Sequence, residues 1–235
     1  MLKALLLGGL GDSILQFAKL QSKYTLKEIQ ENISIDYCDP RWRENKVKSI
    51  IDFWQSQGVQ INAFPMPTLT WIDDNKHTYD IMLIYPFNEP HKENNYLQTN
   101  PFPKIKYTHI PNIDIVIQPY GGTNLASQIS FTQLMGFTDT IFNRTIHYIG
   151  WTNPAEENIF RRLQGKSLLN QGNLVDFMNT AASAKIYIGF LSFGAFLTAM
   201  NKQQIFYLNR TTKDHLYLCF EWNATNVHNL SEIHI

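Results

Sequence analysis

The sequence predicts an α/β protein of two Rossmann-like domains facing one cleft, and three observations carry the prediction. Short apolar runs that suit buried strands alternate with segments of helical period along most of the chain. A pattern of strand, glycine turn and helix opens twice, at residues 2–23 and again at residues 113–135. Between these stretches, residues 86–111 hold five prolines, several asparagines and no periodicity, and outrun the roughly 12–15 residues of an ordinary structureless loop. The expected organisation is an N-terminal domain over residues 1–90, a linker or lid over 91–112 and a C-terminal domain over 113–235.

The first half reads in order. Residues 2–7 form a buried strand, and residues 13–23 place Ile14, Leu15, Phe17, Ala18 and Leu20 on one helical stripe. Thr25-Leu26-Lys27-Glu28 has the form of a capping box opening a short helix, before a strand at 33–37. Val47, Ile50, Ile51 and Trp54 give residues 44–57 a helical face that Gly58 stops; strands follow at 59–64 and 79–85. Strands separated by helices imply a mainly parallel sheet.

The second half repeats the alternation. A strand at 113–118 leads through a glycine loop at 119–124 to a helix at 127–135, then a strand at 145–149 and a helix at 154–163 with Pro154 in its first turn. A helix at 173–182 capped by Asn173, a strand at 185–189, a helix at 194–200 and a strand at 204–208 complete it. The tail, 211–235, mixes aromatic and polar residues; 214–221 suits helix or strand equally, so no element is assigned there.

Composition narrows the function. Of 235 residues 44% are hydrophobic and 17% charged, enough to build cores and unlike a disordered chain. Twenty Lys plus Arg balance twenty Asp plus Glu, which removes any long-range pull on nucleic acid or an anionic membrane. Apolar runs such as 81–85 and 185–190 fall far short of the roughly 20 residues that span a bilayer. Residues 1–10 read as the first strand and not as a leader, and two distant cysteines, Cys38 and Cys219, fit a reducing cytoplasm. The seven histidines, His77, His91, His109, His147, His215, His228 and His234, show no metal-ligand spacing, and a Gly-x-Ser-x-Gly elbow is absent. Neither a metal nor a cofactor is called for.

Three segments offer binding chemistry. Gly8-Gly9-Leu10-Gly11-Asp12-Ser13 joins a strand to a helix, where small residues let a ligand approach the backbone. Gly9, Gly11 and Ser13 are the substrate-binding candidates. Asp12 suits a general base, and equally a helix cap whose carboxylate is stabilised by the dipole and weakened as a base. The segment is not a dinucleotide fingerprint, because Ile14 stands where its third small residue belongs. In the second segment Gly121 and Gly122 can turn N–H groups toward a phosphate and Thr123 and Asn124 add donors; the competing reading is a turn with a helix cap. In the third, Ser192, Phe193, Gly194 and Ala195 open a helix whose first amides suit a diphosphate, or else make a buried strand-to-helix connection. Trp151, just past a strand, suits stacking on a nucleobase or a place in the core. Arg161, Arg162 and Lys166 form a small basic patch that suits a solvated face or a phosphate contact.

Gly-Gly-Leu-Gly-Asp at residues 8–12, together with residues 185–208, resembles the heptosyltransferase-like family 9 of glycosyltransferases, in a shortened and divergent form. The resemblance implies a compact GT-B fold. It implies a sugar moved, with inversion and without metal, from a nucleotide-sugar donor to an acceptor hydroxyl, with Asp12 in the place of the family's proposed base. The family's Gly-Pro-Asp-Ser-Gly-Pro-Met-His pattern falls on residues 189–196, where Gly189 and Ser192 are kept, Leu191 replaces the aspartate and Phe196 the histidine. Those replacements keep a second reading open, a non-catalytic nucleotide or sugar-nucleotide binder on the same scaffold. The acceptor implied is a saccharide; a modified nucleic acid bearing hydroxyls has suitable chemistry but no support from net charge.

Overall fold

The computed structural model describes residues 1–39, 47–65, 70–83, 105–120, 128–151, 157–158, 160–190, 193–199, 201, 203–208 and 224–235. The chain divides into two compact units, Met1–Lys106 and Tyr107–Ile235. Among the described residues each unit carries one parallel sheet.

The first unit runs β1 (Leu2–Leu7), α1 (Leu10–Lys23), α2 (Leu26–Asn32), β2 (Ile33–Asp39), α3 (Val47–Ser56), β3 (Ile61–Pro65), α4 (Trp71–Asn75) and β4 (Ile81–Leu83). Its strands lie in the order β3-β2-β1-β4, with Leu5 opposite Asp36 and Met82. Both faces are covered, which is why β1 is an unbroken apolar run instead of an alternating one. Leu5, Leu7 and Cys38 cluster on one face with Phe64, Trp71, Tyr79 and Met82, while the intervening Ala4, Leu6, Ile35 and Tyr37 are equally buried. Helices α1 and α3 meet through Phe17 and Trp54, ring centroids 4.9 Å apart.

Local chemistry sets the boundaries. Thr25 caps α2, its hydroxyl accepting the Glu28 N–H at 3.2 Å while the Glu28 carboxylate accepts the Thr25 N–H at 2.7 Å. The Thr25 N–H and the Thr25 hydroxyl, both donating to the Glu28 carboxylate, hold that carboxyl below its ordinary value. Gly58 takes a left-handed φ of +74° and ends α3 in a Schellman turn, with Gly58 N–H to Gln55 O at 2.8 Å and Val59 N–H to Trp54 O at 2.9 Å. That turn consumes Val59, so β3 begins at Ile61, two residues later than the sequence suggests. The Gln57 side chain then binds the Lys106 backbone twice, at 3.0 and 2.7 Å. Strand β4 begins at Ile81, two residues later than predicted, and residues 84–85 of the expected strand lie outside the described residues; Tyr79, just before it, turns to another role. Its hydroxyl donates to the buried Asp36 carboxylate at 2.7 Å, which also accepts from Asn62 at 3.1 Å and lies 3.4 Å from Lys3 Nζ. Burial, then the Asp36 carboxylate, push the Tyr79 phenol well above its usual range. Helix α4 was not foreseen in the sequence.

The second unit runs β5 (Ile115–Ile117), α5 (Phe131–Thr140), β6 (Ile146–Tyr148), β7 (Lys166–Ser167), α6 (Leu174–Ser183), β8 (Ile186–Gly189), α7 (Phe193–Ala199), β9 (Gln204–Leu208) and β10 (Ala224–Val227). The order across the sheet is β10-β9-β8-β5-β6-β7. Counted by appearance this is sixth, fifth, fourth, first, second, third, the doubly wound arrangement of nucleotide-binding sheets. Ile115, Ile117, Leu134, Phe137, Tyr148 and Ile188 centre one core cluster.

Helix α5 starts at Phe131 and not at 127, because Ser130 and Gln133 form a capping box. Asn173 caps α6 as expected, accepting N–H groups of Val175 at 2.8 Å and Asp176 at 3.0 Å. Of the helix expected at 154–163, residues 157, 158 and 160–163 are described; 157, 158 and 160 are helical, and 161–163 already turn away from the helix. The unassigned tail contributes β10, parallel to β9, and sends Val227, Leu230 and Ile233 into the core of this unit.

Candidate functional site

In the first unit the turn after β1 is held from three sides. Gly8 has φ +125°; its N–H reaches Cys38 O at 3.1 Å and its carbonyl accepts the buried Tyr37 hydroxyl at 2.9 Å. Gly9 O accepts the Ser13 N–H at 3.0 Å, which makes Gly9 the N-cap of α1 and Asp12 the third helical residue. Gly9 and Gly11 are therefore on the first turn of α1, at the carboxyl end of the central strand, where open α/β sheets take ligands. Asp12 lends its backbone to that turn; its side chain lies outside the described part of the structure. Ser13 is fully buried, and its hydroxyl donates to Leu10 O at 2.8 Å, occupied with its own helix.

In the second unit the strand order reverses between β5 and β8, so the crevice for a ligand opens at their carboxyl ends. Gln118 and Gly189 meet there. The Gln118 N–H donates to Ile188 O at 2.8 Å and its side-chain amide donates to Tyr120 O at 3.0 Å. The Tyr187 hydroxyl donates to Gln118 Oε1 at 2.8 Å and stands 2.9 Å from Phe190 O. Two glycines pack against this network without room for a side chain. A Cβ on Gly189 would lie 2.8 Å from Gln118 O, and one on Gly194 would lie 2.7 Å from Gln118 Oε1.

A cavity of about 200 Å³ lies beside this crevice. Gly150 and Trp151 reach it from the end of β6, Leu168 from the end of β7, Gln171 and Gly172 from the following turn, and Asp176, Phe177 and Thr180 from α6. Left-handed backbone at Asn170, φ +57°, and Gly172, φ +70°, folds the turn back toward α6. A side chain at Gly172 would strike the Asp176 carboxylate at 2.7 Å. Arg161 holds Glu157 at 2.8 Å and the Asn170 amide reaches it as well; the guanidinium first, then the amide, keep the Glu157 carboxyl below its usual value.

Trp151 is half exposed, with one face stacked on Phe177 at 5.3 Å and 19°. Phe177 stacks in turn on Phe193 at 5.6 Å and 24°. A backed, half-exposed indole beside an open space with Gln171, Asp176 and Thr180 on its walls suits a planar heterocycle with a hydrogen-bonding rim. The space is smaller than the roughly 300–1,000 Å³ of pockets that enclose a whole ligand, so it fits one part of a larger molecule.

Of the donor-binding candidates, Gly121, Gly122, Thr123, Asn124 and Ser192 lie outside the described residues. Phe193 is a third ring stacked on Phe177, Gly194 is pressed against Gln118, and Ala195 is fully buried in α7. Arg161 of the basic patch is engaged by Glu157. Sequence reasoning missed Tyr187, Gly172, Asp176 and Phe177, and it placed Gln118 at the head of the second segment without giving it a role. Only Gly172, immediately before the Asn173 cap, carried a local signal. Among the described residues no cluster of three or more His, Cys, Asp or Glu side chains is arranged to hold a metal ion. No described helix is long and apolar enough to cross a membrane.

No family model matches this sequence, and no protein of curated function matches it. Solved structures do match its fold. The glycosyl transferase family 9 protein from Veillonella parvula DSM 2008 superposes with a TM-score of 0.62 at 8% identity, over 96% of this chain and 86% of that one. The E. coli heptosyltransferase WaaC, solved with ADP-2-deoxy-2-fluoro heptose, gives 0.58 at 11% identity over 97% and 95%. E. coli ADP-heptose lps heptosyltransferase II gives 0.56 at 11% over 97% and 90%. The chain thus resembles heptosyltransferase-type glycosyltransferases in fold, at identities that speak for the fold alone.

Proposed function

We propose that this protein is a glycosyltransferase that moves a sugar from a nucleotide-sugar donor to an acceptor hydroxyl, with the nucleotide on the second unit and the acceptor on the first. One observation carries the reading: the cavity beside Trp151 lies at the carboxyl edge of a doubly wound sheet, next to the strand-order reversal where such sheets take nucleotides. In this reading the base stacks on the free face of Trp151, and the diphosphate extends toward the turns that follow β5 and β8. One protein with this fold, the E. coli heptosyltransferase WaaC, was solved both with ADP and with ADP-2-deoxy-2-fluoro heptose, which makes ADP-linked donors the first to test.

Asp12 then takes the proton of the acceptor hydroxyl as its oxygen attacks the anomeric carbon. The bond from that carbon to the diphosphate breaks, and backbone N–H groups receive the charge left on the departing phosphate. Attack from the face opposite the leaving group inverts the anomeric centre. Fixed amide dipoles supply the stabilisation a divalent ion would otherwise give. A saccharide is the acceptor that this reading favours.

The test is a calorimetric titration of the whole protein with ADP, GDP and UDP, repeated with Trp151→Ala. A stacked base contributes about 1–3 kcal/mol, so the variant should bind at least about fivefold more weakly while its far-UV circular dichroism is unchanged. Wild-type protein that takes up none of the three, or a variant that binds as tightly, removes the proposal. The second reading, a binder without transfer, has its own support in Leu191 and Phe196 at positions that are polar in the family. It predicts tight donor binding with no release of nucleoside diphosphate in the presence of any acceptor sugar.

A further inference from the structure

One buried side chain joins the two turns at the strand-order reversal of the second unit. Gln118 is 8% exposed, yet both ends of its carboxamide are engaged, Oε1 with the Tyr187 hydroxyl and Nε2 with the Tyr120 carbonyl. The same Tyr187 hydroxyl stands 2.9 Å from the Phe190 carbonyl. Tyr120 follows β5 and Phe190 follows β8, so a single polar hub fixes the backbone leaving both central strands. Gly189 and Gly194 close on it from two sides, and Gly150 approaches from β6, where a Cβ would lie 3.6 Å from Gln118 Cγ.

We propose that Gln118, held by Tyr187, is a positioning residue for the phosphate side of the donor site, setting where the backbone at Tyr120, Phe190 and Gly194 stands when a diphosphate arrives. The ligand in this proposal rests on the nucleotide reading given above. Gln118 touches no reacting atom and acts through the turns it holds. Only a carboxamide serves both partners at once: a carboxylate turns an acceptor toward the Tyr120 carbonyl, and a methionine satisfies neither partner. Fixed donors cost no reorganisation as charge develops on a leaving group, which is the advantage of building the edge this way. Neither Gln118 nor Tyr187 lines the cavity at Trp151, although Gly150 borders both, so the direct hold of the hub is on the turns beside the phosphates and not on the base.

That separation makes the proposal testable. Adenosine and ADP are titrated against the wild-type protein, Tyr187→Phe and Gln118→Glu, and amide exchange is followed at Tyr120, Phe190 and Gly194. In both variants adenosine affinity should stay within twofold of wild type, while the advantage of ADP over adenosine falls at least tenfold. The three amides should exchange at least tenfold faster, with α5 unchanged. A merely structural role weakens adenosine and ADP in parallel, or neither, and either result overturns the proposal. Gln118→Glu preserves side-chain shape and the Tyr187 contact, so it decides the matter if Tyr187→Phe does not fold. If the wild-type protein binds neither probe, the nucleotide reading fails separately; unchanged exchange at the three amides then overturns the hub as well, and faster exchange upholds its hold on the turns.

Discussion

The same substitution, glycine to alanine, should move stability in opposite directions at two helical positions of the second unit. Gly136 sits in α5 with nothing within 4 Å of a Cβ placed on it. Alanine there gains only the helix preference and the smaller entropy loss, about 0.5–1 kcal/mol in favour of folding. Gly194 in α7 would gain a similar amount, but its Cβ would lie 2.7 Å from Gln118 Oε1, 2.9 Å from Tyr187 Cε2 and 3.2 Å from Phe177 Cζ. None of these is the loose end of a flexible chain. Gln118 cannot withdraw without losing the Tyr187 hydroxyl, and overpacking of this kind costs about 1–3 kcal/mol, with about 1–3 more if a buried polar group is stranded. The clash outweighs the propensity, so Gly194→Ala should be destabilised by about 1–3 kcal/mol. Urea unfolding followed by circular dichroism reads both variants against wild type. At a slope of about 1–3 kcal/mol per molar, the midpoints should separate by roughly 1 M, Gly136→Ala above wild type and Gly194→Ala below it. A Gly194→Ala midpoint at or above that of wild type would refute the packing argument, and midpoints moving together would refute the assignment of Gly136 to open space.

Further outcomes follow from other sites. Asp12→Asn should retain nucleotide binding and lower sugar transfer about 10²- to 10⁴-fold, read as nucleoside diphosphate released per minute; wild-type turnover removes Asp12 as the base. Tyr79→Phe deprives the buried Asp36 carboxylate of its 2.7 Å donor and should cost about 1–3 kcal/mol in urea unfolding, whereas a loss near zero would mean Asn62 and Lys3 suffice. His147 is partly buried on β6 with Nδ1 lacking a hydrogen-bond partner, and burial followed by the Lys166 charge hold its pKa below the ordinary value. The unfolded chain therefore binds the proton first as pH falls. Its contribution to stability is whole above about pH 6.5 and is lost as the pH drops through the lower folded value. His147→Gln should flatten the fall in melting temperature between pH 7 and pH 5, and an unaltered slope would assign that fall to other groups.

Much of this architecture was legible because its signals are local. The apolar run of β1, the Thr25 and Asn173 caps and the Gly58 stop each lie within a few residues of the partner that gives them meaning. Strands β7 and β10 were not legible. One is two residues long and the other reads Ala-Thr-Asn-Val, so neither has the apolar content that periodicity detects; both gain their pairing from a neighbouring edge. In the candidate site, Trp151 could be singled out because an aromatic residue directly past a strand end stands out in the sequence. The bond between Gln118 and Tyr187 could not be read there, because they are 69 residues apart and meet only when β5 and β8 become neighbours. The cavity beside Trp151 escaped notice for the same reason, since its walls come from β6, β7, the following turn and α6.

The strand order of the second unit also dictates how it must be assembled during synthesis. Strand β5 lies between β6 and β8, and the ion pair Asp114–Lys185, whose residues directly precede β5 and β8, joins positions 71 residues apart. At about 5–20 residues per second, a ribosome needs roughly 4–14 s to supply the missing neighbour. Throughout that interval Ile115, Val116 and Ile117 have an unpaired flank, while the described strands of the first unit, β1 to β4, have already been made. The nascent second unit therefore presents a sticky edge to whatever captures emerging chains, and overexpression should load chaperones with partly translated molecules that end between β5 and β8.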